Sequence, residues 1–410
     1  MWLIYDVMMY LFVIGIRIST LWNHKSRLWI KSRKNWTSTI RQLPKKSDYR
    51  IWFHVSSLGE FEQARPVIEK IKQVMPSTEI ILSFFSPSGY EIKRDYSFAS
   101  VCYLPADIPG NAVKWLKVIQ PDLAVFVKYD LWPGYLKALA EMKIPAMLIS
   151  AHWIPGKKWS SWANPLTTNM LKNFKIIFLQ QAEDFDLFTR MGFQNIQVAG
   201  DTRIDRCINL PKEVKSRIPL ELIRYGMVDV VAGSTWPDDE GILIDAIKTL
   251  GYKAIIAPHD ISKSNIDRLM NSLGNSAIKL SQLSPNTDQP SVIIVDNIGQ
   301  LSVLYALGKT AYIGGGFGKG IHNSLEAMAH ARPIVFGPHY HTFPEAVKMV
   351  ELGGARAVNS KDELISAFKE LAINGKAEQS GMICFNYIKE HSGATAIVTD
   401  YILKSIPYLA

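Results

Sequence analysis

The residues best suited to chemistry lie in short polar segments, each following an apolar run typical of a β-strand. The first segment is His54-Val-Ser-Ser-Leu-Gly-Glu60. Gly59 permits close backbone approach, and the N-terminus of the helix predicted to begin here favours an anion or a polarised hydroxyl nearby. Glu60 could therefore act as a general base on an acceptor hydroxyl. The alternative is structural, because Ser57 and Glu60 have capping-box spacing, in which the carboxylate only accepts backbone N–H groups.

The second segment is Lys128-Tyr-Asp130-Leu-Trp-Pro133. Lys128 and Asp130 stand at a predicted strand end before a Trp-Pro turn, where they could line a cleft. They could equally form an exposed ion pair at the start of a loop. The next predicted strand ends in Ser150-Ala-His152-Trp153, on the same side of the sheet.

Two segments in the second half of the chain suit a phosphate. Ala232-Gly-Ser-Thr235 offers small residues and the hydroxyls of Ser234 and Thr235. The run from Ile313 to Ala327 combines a strand, a glycine-rich loop and a helix start, with glycines at 314, 315, 316, 318 and 320. These glycines predict a backbone that passes close to a ligand.

The helix after this loop is predicted to open at Asn323 or Ser324, which would direct its free N–H groups at a phosphate. Glu326, in the first turn, could accept hydrogen bonds from a ribose. A capping box between Asn323 and Glu326 is the alternative. The loop is not a P-loop, because no G-K-[ST] follows the glycines.

A further turn contains His339 and His341. Together with His322 they could suggest a metal site, but histidines two residues apart without a nearby pair of carboxylates are poor zinc ligands by spacing. We therefore expect no metal, and we expect this loop to close over a nucleotide.

The elements that position these segments are short β-rich runs that alternate with helical ones. The predicted strands are Ile51–Val55, Glu79–Phe85, Leu123–Val127, Ala146–Ser150, Lys175–Leu179, Ile196–Ala199, Val228–Ala232, Ala254–Ala257, Val292–Val295, Thr310–Ile313 and Pro333–Phe336. Such alternation predicts parallel sheets with helices on both faces, and ligands bind beyond the carboxyl ends of their strands. A polar stretch near residues 205–225 separates the two sets. We predict an α/β domain over residues 36–210 and another over 211–410, whose last helix could pack back on the first.

Charge distribution separates the N-terminus from the rest of the chain. The net charge is +9, and residues 1–46 carry nine Lys or Arg against a single acid, Asp6, so the remainder is close to neutral. A nucleic-acid-binding protein would carry basic surface on its folded domains, so no nucleic acid is expected as a partner. The three cysteines are far apart and predict a reducing compartment without disulfides.

Residues 1–35 are predicted to be a membrane anchor with a basic interfacial segment. Residues 1–21 are mostly apolar and near the lower limit for a spanning helix, about 17–25 residues. Trp interleaved with Lys and Arg follows, which favours an anionic membrane surface and places the rest of the chain in the cytoplasm. A spanning helix is favoured, and a helix lying in one leaflet is left open. No small-residue cleavage site follows, which disfavours a cleaved signal peptide.

In this order, the segments resemble the Kdo transferases of lipopolysaccharide synthesis, where Kdo is 3-deoxy-D-manno-octulosonic acid. HVSSLGE is similar to the family's S-V-G-E element, and AGST matches part of A-G-S-T-H-x-x-E. GGGFGKGIHNSLEA and PIVFGPHYHTF match G-G-S…G-G-H-N-x-L-E and F-G-P…N-F, and this last pair is specific. The likeness covers essentially the whole chain.

The resemblance implies a GT-B glycosyltransferase, with two doubly wound Rossmann-like domains facing across a cleft and an N-terminal membrane-anchor helix. The enzyme would sit at the cytoplasmic side of the cell inner membrane. It would move Kdo from CMP-Kdo to a lipid A precursor with inversion and without a cofactor. Glu60 would be the general base and Asp130 a second catalytic residue, while Ser57, Gly59 and Lys128 would bind the acceptor. The nucleotide contacts would be Ser234, Thr235, His259, Gly315, Gly316, Gly318, His322, Asn323, Ser324 and Glu326.

The sequence departs from the family pattern at three places. Asp130 stands where the family usually has Glu, residues 257–259 read Ala-Pro-His instead of Pro-Arg-His, and residues 150–154 replace Asn-Ala-Arg-Leu-Ser. Two alternatives stay open. One is another nucleotide-sugar enzyme of the same fold, such as a lipid A disaccharide synthase or a sugar epimerase, and the other is a catalytically inactive membrane adaptor.

Overall fold

A computed structural model of the chain describes residues 2–128, 131–153, 165–284 and 290–406. The chain divides into two compact units. Unit 1 comprises Met1–Asp205 and Gly393–Ala410, and unit 2 comprises Arg206–Ser392.

Unit 1 contains a seven-stranded parallel sheet. Its strands are β1 (Arg50–Val55), β2 (Glu79–Phe84), β3 (Ser100–Tyr103), β4 (Leu123–Val127), β5 (Ala146–Ala151), β6 (Ile176–Leu179) and β7 (Ile196–Val198), in the order β3-β2-β1-β4-β5-β6-β7. Every residue of β1, β4, β5 and β6 is buried. This burial accounts for the near-continuous apolar runs, because helices cover both faces of such a sheet.

The helices of this half of the chain are α1 (Trp2–Ser19), α2 (His24–Arg33), α3 (Trp36–Arg41), α4 (Leu58–Val74), α5 (Pro87–Lys93), α6 (Asn111–Ile119), α7 (Pro133–Glu141), α8 (Pro165–Leu171), α9 (Glu183–Arg190) and α10 (Thr202–Cys207). One core contains Trp52, Trp115 and Phe126, and the other contains Phe53, Val67 and Ile68. Side chains of successive β1 residues, Trp52 and Phe53, thus enter different cores, as strand geometry requires.

Unit 2 repeats this architecture. After α11 (Leu210–Arg217) and α12 (Leu220–Tyr225), its strands are β8 (Val228–Thr235), β9 (Ala254–Pro258), β10 (Ala277–Lys279), β11 (Val292–Ile294), β12 (Gly308–Ile313), β13 (Ile334–Phe336) and β14 (Ala355–Ala357). They form a parallel sheet in the order β10-β11-β9-β8-β12-β13-β14. The remaining helices are α13 (Pro237–Leu250), α14 (Lys263–Leu273), α15 (Leu301–Leu304), α16 (Leu325–Ala329), α17 (Pro344–Leu352), α18 (Lys361–Leu371), α19 (Lys376–Glu390) and α20 (Ala394–Lys404). The predicted pair of doubly wound α/β domains is confirmed.

The final helix, α20, belongs to unit 1, where it packs against α4. Its Val398 and Ile402 are buried in the same core as Val67 and Ile68. Asp205 accepts hydrogen bonds from the backbone N–H groups of Gly393 and Thr395 and so holds the start of α20. The chain therefore returns to its first domain after completing the second.

Helix α1 is long and apolar enough to cross a membrane, by length and composition alone. In the structure one of its faces lies against unit 1. Tyr5 Oη donates to the carboxylate of Asp107 at 2.7 Å, Met9 is buried, and the Phe12 ring contacts Trp29 and Phe85. The opposite face exposes Leu3, Ile4, Val7, Met8, Leu11, Ile14 and Ile18.

Candidate functional site

Each sheet has one position where the chain reverses its direction of winding. In unit 1 this switch point lies between β1 and β4, and in unit 2 between β8 and β12. Ligands of open α/β sheets bind at such points, beyond the carboxyl ends of the strands. The HVSSLGE segment follows β1 and Lys128 follows β4, while Ser234 and Thr235 end β8 and the glycine-rich loop follows β12. Of the predicted site residues that the structure describes, Ser57, Gly59, Glu60 and Lys128 therefore lie at the switch point of unit 1, and Ser234, Thr235 and the residues of the glycine-rich loop lie at that of unit 2, whereas His259 follows β9.

Glu60 lies in the first turn of α4, and the predicted capping box is formed. Ser57 Oγ accepts from the Glu60 N–H at 3.4 Å, while Glu60 Oε2 accepts from the N–H groups of Ser56 at 2.5 Å and Ser57 at 3.1 Å. These bonds fix the carboxylate at the carboxyl end of β1. Gly59 is exposed in the same turn, and an added Cβ would meet only Ser57 Oγ at 3.9 Å. Glu60 thus has a structural role whatever else it does.

The segment after β4 is tied to the end of β1 through a histidine that sequence reasoning did not select. Trp132 Nε1 donates to His54 Nε2 at 3.0 Å, and His54 Nδ1 lies 2.8 Å from Ser83 Oγ. Because the indole can only donate, His54 Nε2 accepts and its proton lies on Nδ1. This partly buried contact couples the two loops that follow β1 and β4. Asp130 lies outside the described residues.

Among the described residues, three other than glycine hold a left-handed backbone at carboxyl strand ends. They are Lys128 after β4, Ser150 in β5 and Ser234 in β8, with φ of 57°, 56° and 55°. Such conformations cost about 1–3 kcal/mol each and cluster at functional sites. Their positions beside the two switch points support a role in ligand binding for these turns.

Thr235 and Ser234 differ in what their side chains can offer a ligand. Thr235 is 1% exposed, and its hydroxyl donates to Glu240 Oε1 at 2.9 Å. The hydroxyl proton is therefore engaged inside the domain and is not offered to a ligand. Glu240 is itself fully buried and is also bonded by Arg268. Ser234, in the strained turn, is half-buried. The turn therefore presents Ser234, while Thr235 holds it in place.

The glycines of the loop after β12 are present for different structural reasons. A Cβ on Gly314 would lie 2.3 Å from the Ser234 carbonyl oxygen, and one on Gly316 would lie 2.5 Å from the Gly337 nitrogen. Gly315 has φ of +91°, and a Cβ there would meet the Gly320 oxygen at 2.4 Å. These three glycines are required by the crossing of the protein's own backbone. Gly318 is exposed and its Cβ would meet nothing closer than 3.6 Å, so it is the position at which a ligand could approach the chain.

Buried Asp239 joins this loop to the turn after β8. Its Oδ2 accepts from the N–H groups of Gly315 at 2.8 Å and Trp236 at 3.0 Å, and its Oδ1 accepts from Tyr312 Oη at 3.0 Å. Sequence reasoning missed this residue. The sequence pattern that could have identified Asp239 is an acidic residue three positions after Trp236. Many helix starts share this spacing, so the pattern alone does not indicate a functional residue.

The helix after the loop, α16, is only five residues long. It begins at Leu325 with Ser324 as N-cap, and Ser324 makes no capping bond with its side chain. Asn323 Oδ1 accepts from the Leu325 N–H at 3.2 Å, so Asn323 lies one position before the cap. Ser324 is fully buried, and its hydroxyl has no hydrogen-bond partner among the described residues. Glu326 is half-buried. Burial raises the pKa of the nearby Tyr305 phenol, and the charge of Glu326 raises it further.

An aromatic cluster lies at the same edge of the unit 2 sheet. The His259 ring stacks on Trp236 and on His322, with centroids 4.5 Å apart in both cases. Trp236 Nε1 donates to His322 Nε2 at 2.9 Å. Burial lowers the pKa of His322 to about 4, helped by His259, and burial also lowers the pKa of His259 against the opposing charge of Asp260.

The loop with His339 and His341 is joined to the glycine-rich loop through its backbone. His339 N donates to the Gly316 oxygen at 3.0 Å, and Ile321 N donates to the His339 oxygen at 3.2 Å. Within the described part of the chain, no three metal-ligating side chains lie close enough together to hold a metal ion.

Known proteins match both the sequence and the fold. A family model described as 3-deoxy-D-manno-octulosonic-acid transferase (kdotransferase) matches residues 27–206. The 3-deoxy-D-manno-octulosonic acid transferase of Haemophilus influenzae is 26% identical over 88% of this chain and 87% of its own length. That of Aquifex aeolicus is 25% identical over 80% of this chain and 90% of its own. Among solved structures, UDP-GlcNAc 2-epimerase from Neisseria meningitidis shares the fold with a TM-score of 0.62 at 16% identity, covering 87% of this chain and all of that one.

Proposed function

We propose that this chain, which is similar to 3-deoxy-D-manno-octulosonic acid transferases over most of its length, transfers Kdo from CMP-Kdo to a hydroxyl of a lipid A precursor in lipopolysaccharide biosynthesis. The observation that carries the proposal is the arrangement of the candidate residues in both domains. Apart from His259, the described residues of each set lie at or after the two strands that flank the switch point of their own sheet, which supports two ligand-binding half-sites like those of a GT-B enzyme.

Unit 2 would bind the donor. Half-buried Ser234 lies at the end of β8, exposed Gly318 in the loop after the adjacent strand β12, and half-buried Glu326 in the helix α16 that follows this loop. Backbone N–H groups and hydroxyls in such turns suit a phosphate, and a carboxylate suits the hydroxyls of a ribose. Thr235, Gly315 and Gly316 would act indirectly, because they shape the turns that the nucleotide contacts.

Unit 1 would bind the acceptor and supply the base. Glu60 would take the proton of the acceptor hydroxyl, whose oxygen forms a bond to the anomeric carbon of Kdo. The bond between that carbon and the phosphate oxygen breaks, and CMP leaves with the bonding electron pair. Attack from the face opposite the leaving group inverts the anomeric centre. Lys128 and Asp130 would complete this half of the site.

The test separates the catalytic role of Glu60 from its capping role. Glu60→Gln keeps an oxygen that can accept the Ser56 and Ser57 N–H groups, since Gln also forms capping boxes, but it cannot remove a proton. With CMP-Kdo and lipid A precursor in detergent, mass spectrometry should show product formation reduced at least about 100-fold. CMP affinity and thermal unfolding should remain unchanged.

Glu363→Gln is a matched control at the corresponding position of α18, where the Glu363 N–H donates to Ser360 Oγ and the Glu363 carboxylate accepts from the Asn359 N–H. This variant should retain full transfer activity. Wild-type turnover in Glu60→Gln would remove Glu60 as the base. A parallel incubation with UDP-GlcNAc tests the alternative raised by the epimerase fold, and product from UDP-GlcNAc alone would refute the proposed donor.

We further propose that α1 lies in the cytoplasmic leaflet of the inner membrane and does not span it. Its inner face is held to unit 1 by the Tyr5–Asp107 hydrogen bond and by Phe12 against Trp29. The outer face is apolar, and the exposed Lys25, Arg27 and Lys31 on α2 suit anionic headgroups. This differs from the spanning helix favoured by the sequence. Arg33 is not part of that basic surface, because it is buried under Trp29 and donates to the carbonyls of Leu104 and Phe85.

A further inference from the structure

Trp236 and His322 form a hydrogen-bonded pair to which the proposed reaction assigns no role. Trp236 follows β8, His322 ends the glycine-rich loop, and their ring planes lie within 16° of each other with centroids 6.4 Å apart. Trp236 Nε1 reaches His322 Nε2 at 2.9 Å. His259, from the end of β9, covers both rings with interplanar angles of 25° and 22°. Three separate loops therefore hold the His322 ring in one orientation.

This bond determines where His322 carries its proton. An indole N–H donates and never accepts, so His322 Nε2 must present a lone pair. The neutral ring then has its single proton on Nδ1. Protonation of Nε2 would place two donors against each other. Burial, and then the neighbouring His259, separately lower the pKa of His322.

The backbone places His322 directly beside the phosphate-binding turn. His322 N donates to the Gly314 oxygen at 3.0 Å. A Cβ on Gly315 would lie 3.0 Å from His322 Cδ2, so the ring edge with Cδ2 and Nε2 faces Gly315 and Trp236. Nδ1 lies on the opposite edge of the ring and makes no hydrogen bond among the described residues.

We infer that Trp236 is a positioning residue that fixes His322 as its Nδ1–H tautomer, so that His322 donates one neutral hydrogen bond to the nucleotide phosphate of the donor. This inference rests on the proposed binding of a nucleotide by unit 2. A donor with a fixed proton binds the phosphate without first taking up a proton from solvent. The fixed tautomer also determines the direction of the hydrogen bond from His322 Nδ1 to the phosphate, because no second tautomer competes.

The first measurement concerns the ligand-free protein. Long-range 1H–15N correlation spectra of histidine-labelled protein distinguish the two tautomers of each ring. His322 should show a protonated Nδ1 and an unprotonated Nε2, and Trp236→Phe, which keeps a ring but removes the donor, should yield a mixture. Trp132→Phe is the spectral control, because it removes the equivalent donor to His54 and should leave the His322 signals unchanged. A His322 that carries its proton on Nε2 in the wild-type protein would overturn the inference.

The second measurement tests whether Trp236 acts through His322. We expect CMP affinity by calorimetry to fall about 3- to 10-fold in Trp236→Phe and at least about 10-fold in His322→Ala, the range for one hydrogen bond to a charged group. In the His322→Ala background, Trp236→Phe should have no further effect, because coupled residues are not additive. A Trp236→Phe loss that persists there would show that Trp236 acts by stacking alone.

These measurements do not require Kdo transfer. If CMP fails to bind while UDP binds, the proposed donor is wrong, and the same double-mutant cycle with UDP still tests the positioning role. If the spectra show the opposite tautomer while transfer proceeds, the positioning role is wrong and the proposed function stands.

Discussion

Alanine substitutions at Gly315 and at Gly318, which lie in the same loop, should distinguish a glycine that the fold requires from one that a ligand could contact. In Gly315→Ala the new side chain must adopt a left-handed backbone, at a cost of about 1–2 kcal/mol. Its Cβ would also lie 2.4 Å from the Gly320 oxygen and 3.0 Å from His322 Cδ2. Overpacking of this kind costs about 1–3 kcal/mol more. We therefore expect a total loss of about 2–5 kcal/mol in unit 2, a large part of a typical domain's stability.

Gly318→Ala is the matched control in the same loop. Its Cβ would meet only the Gly315 oxygen at 3.6 Å, an ordinary contact, and its φ is not in the left-handed region. The free energy of unfolding should change by no more than about 0.5 kcal/mol. If the nucleotide approaches the chain here, CMP affinity should still fall.

The assay is thermal unfolding combined with calorimetric CMP titration. Hydrogen exchange of β8 and β12 amides should locate the loss in unit 2, since a two-domain protein need not unfold in one step. A Gly315→Ala protein with wild-type stability and CMP affinity would refute the explanation of this glycine by backbone crossing. Unchanged CMP affinity in Gly318→Ala would remove Gly318 from the nucleotide site.

Two further predictions concern the contact between α1 and unit 1. Burial, with the charge of Asp6, raises the pKa of Asp107 to about 6 from 3.8, against the hydrogen bonds from Tyr5 and Gly134. The folded protein then holds this proton where the unfolded chain has lost it, so the stabilisation is present below about pH 4 and lost as pH rises through 6, by at most about 3 kcal/mol. Unfolding curves at pH 4.5 and 7 should show wild type losing stability relative to Asp107→Asn across that interval, and parallel curves would contradict the assignment. Separately, Trp2→Cys should resist a membrane-impermeant maleimide added to intact cells and react after lysis. The native cysteines Cys102, Cys207 and Cys384 are buried and give little background, and labelling from outside would show that α1 spans the membrane.

The sequence predicted the interior of both sheets better than their edges. Leu123–Val127 matches β4 in full, and the other ten predicted strands overlap observed ones, because strands buried on both faces are continuous apolar runs. The missed strands, Ser100–Tyr103, Ala277–Lys279 and Ala355–Ala357, are all at sheet edges. Each has only three or four residues and is incompletely buried, so its composition differs little from that of a loop.

Within the site, sequence reasoning predicted which segments lie at the carboxyl ends of the strands but not how their side chains pair. The capping box of Ser57 and Glu60 was readable, because both partners lie in one helical turn. The bonds from Trp236 to His322 and from Gly315 to Asp239 join residues 86 and 76 positions apart. No local pattern specifies such pairs, since only the strand order brings β8 and β12 together.

The strained turns support the same division between structural and functional residues. Ser234 keeps a left-handed backbone although glycine would adopt it without cost, and its neighbour Gly233 could not carry a side chain, because a Cβ there would meet Tyr305 Oη at 2.0 Å. Serine therefore occupies position 234 at a conformational cost, beside a glycine that packing alone explains. A residue that only shaped the turn would be replaceable by glycine with a gain in stability. We therefore expect Ser234→Gly to raise the stability of unit 2 and to lower its affinity for CMP, because the lost hydroxyl would serve the ligand at the switch point.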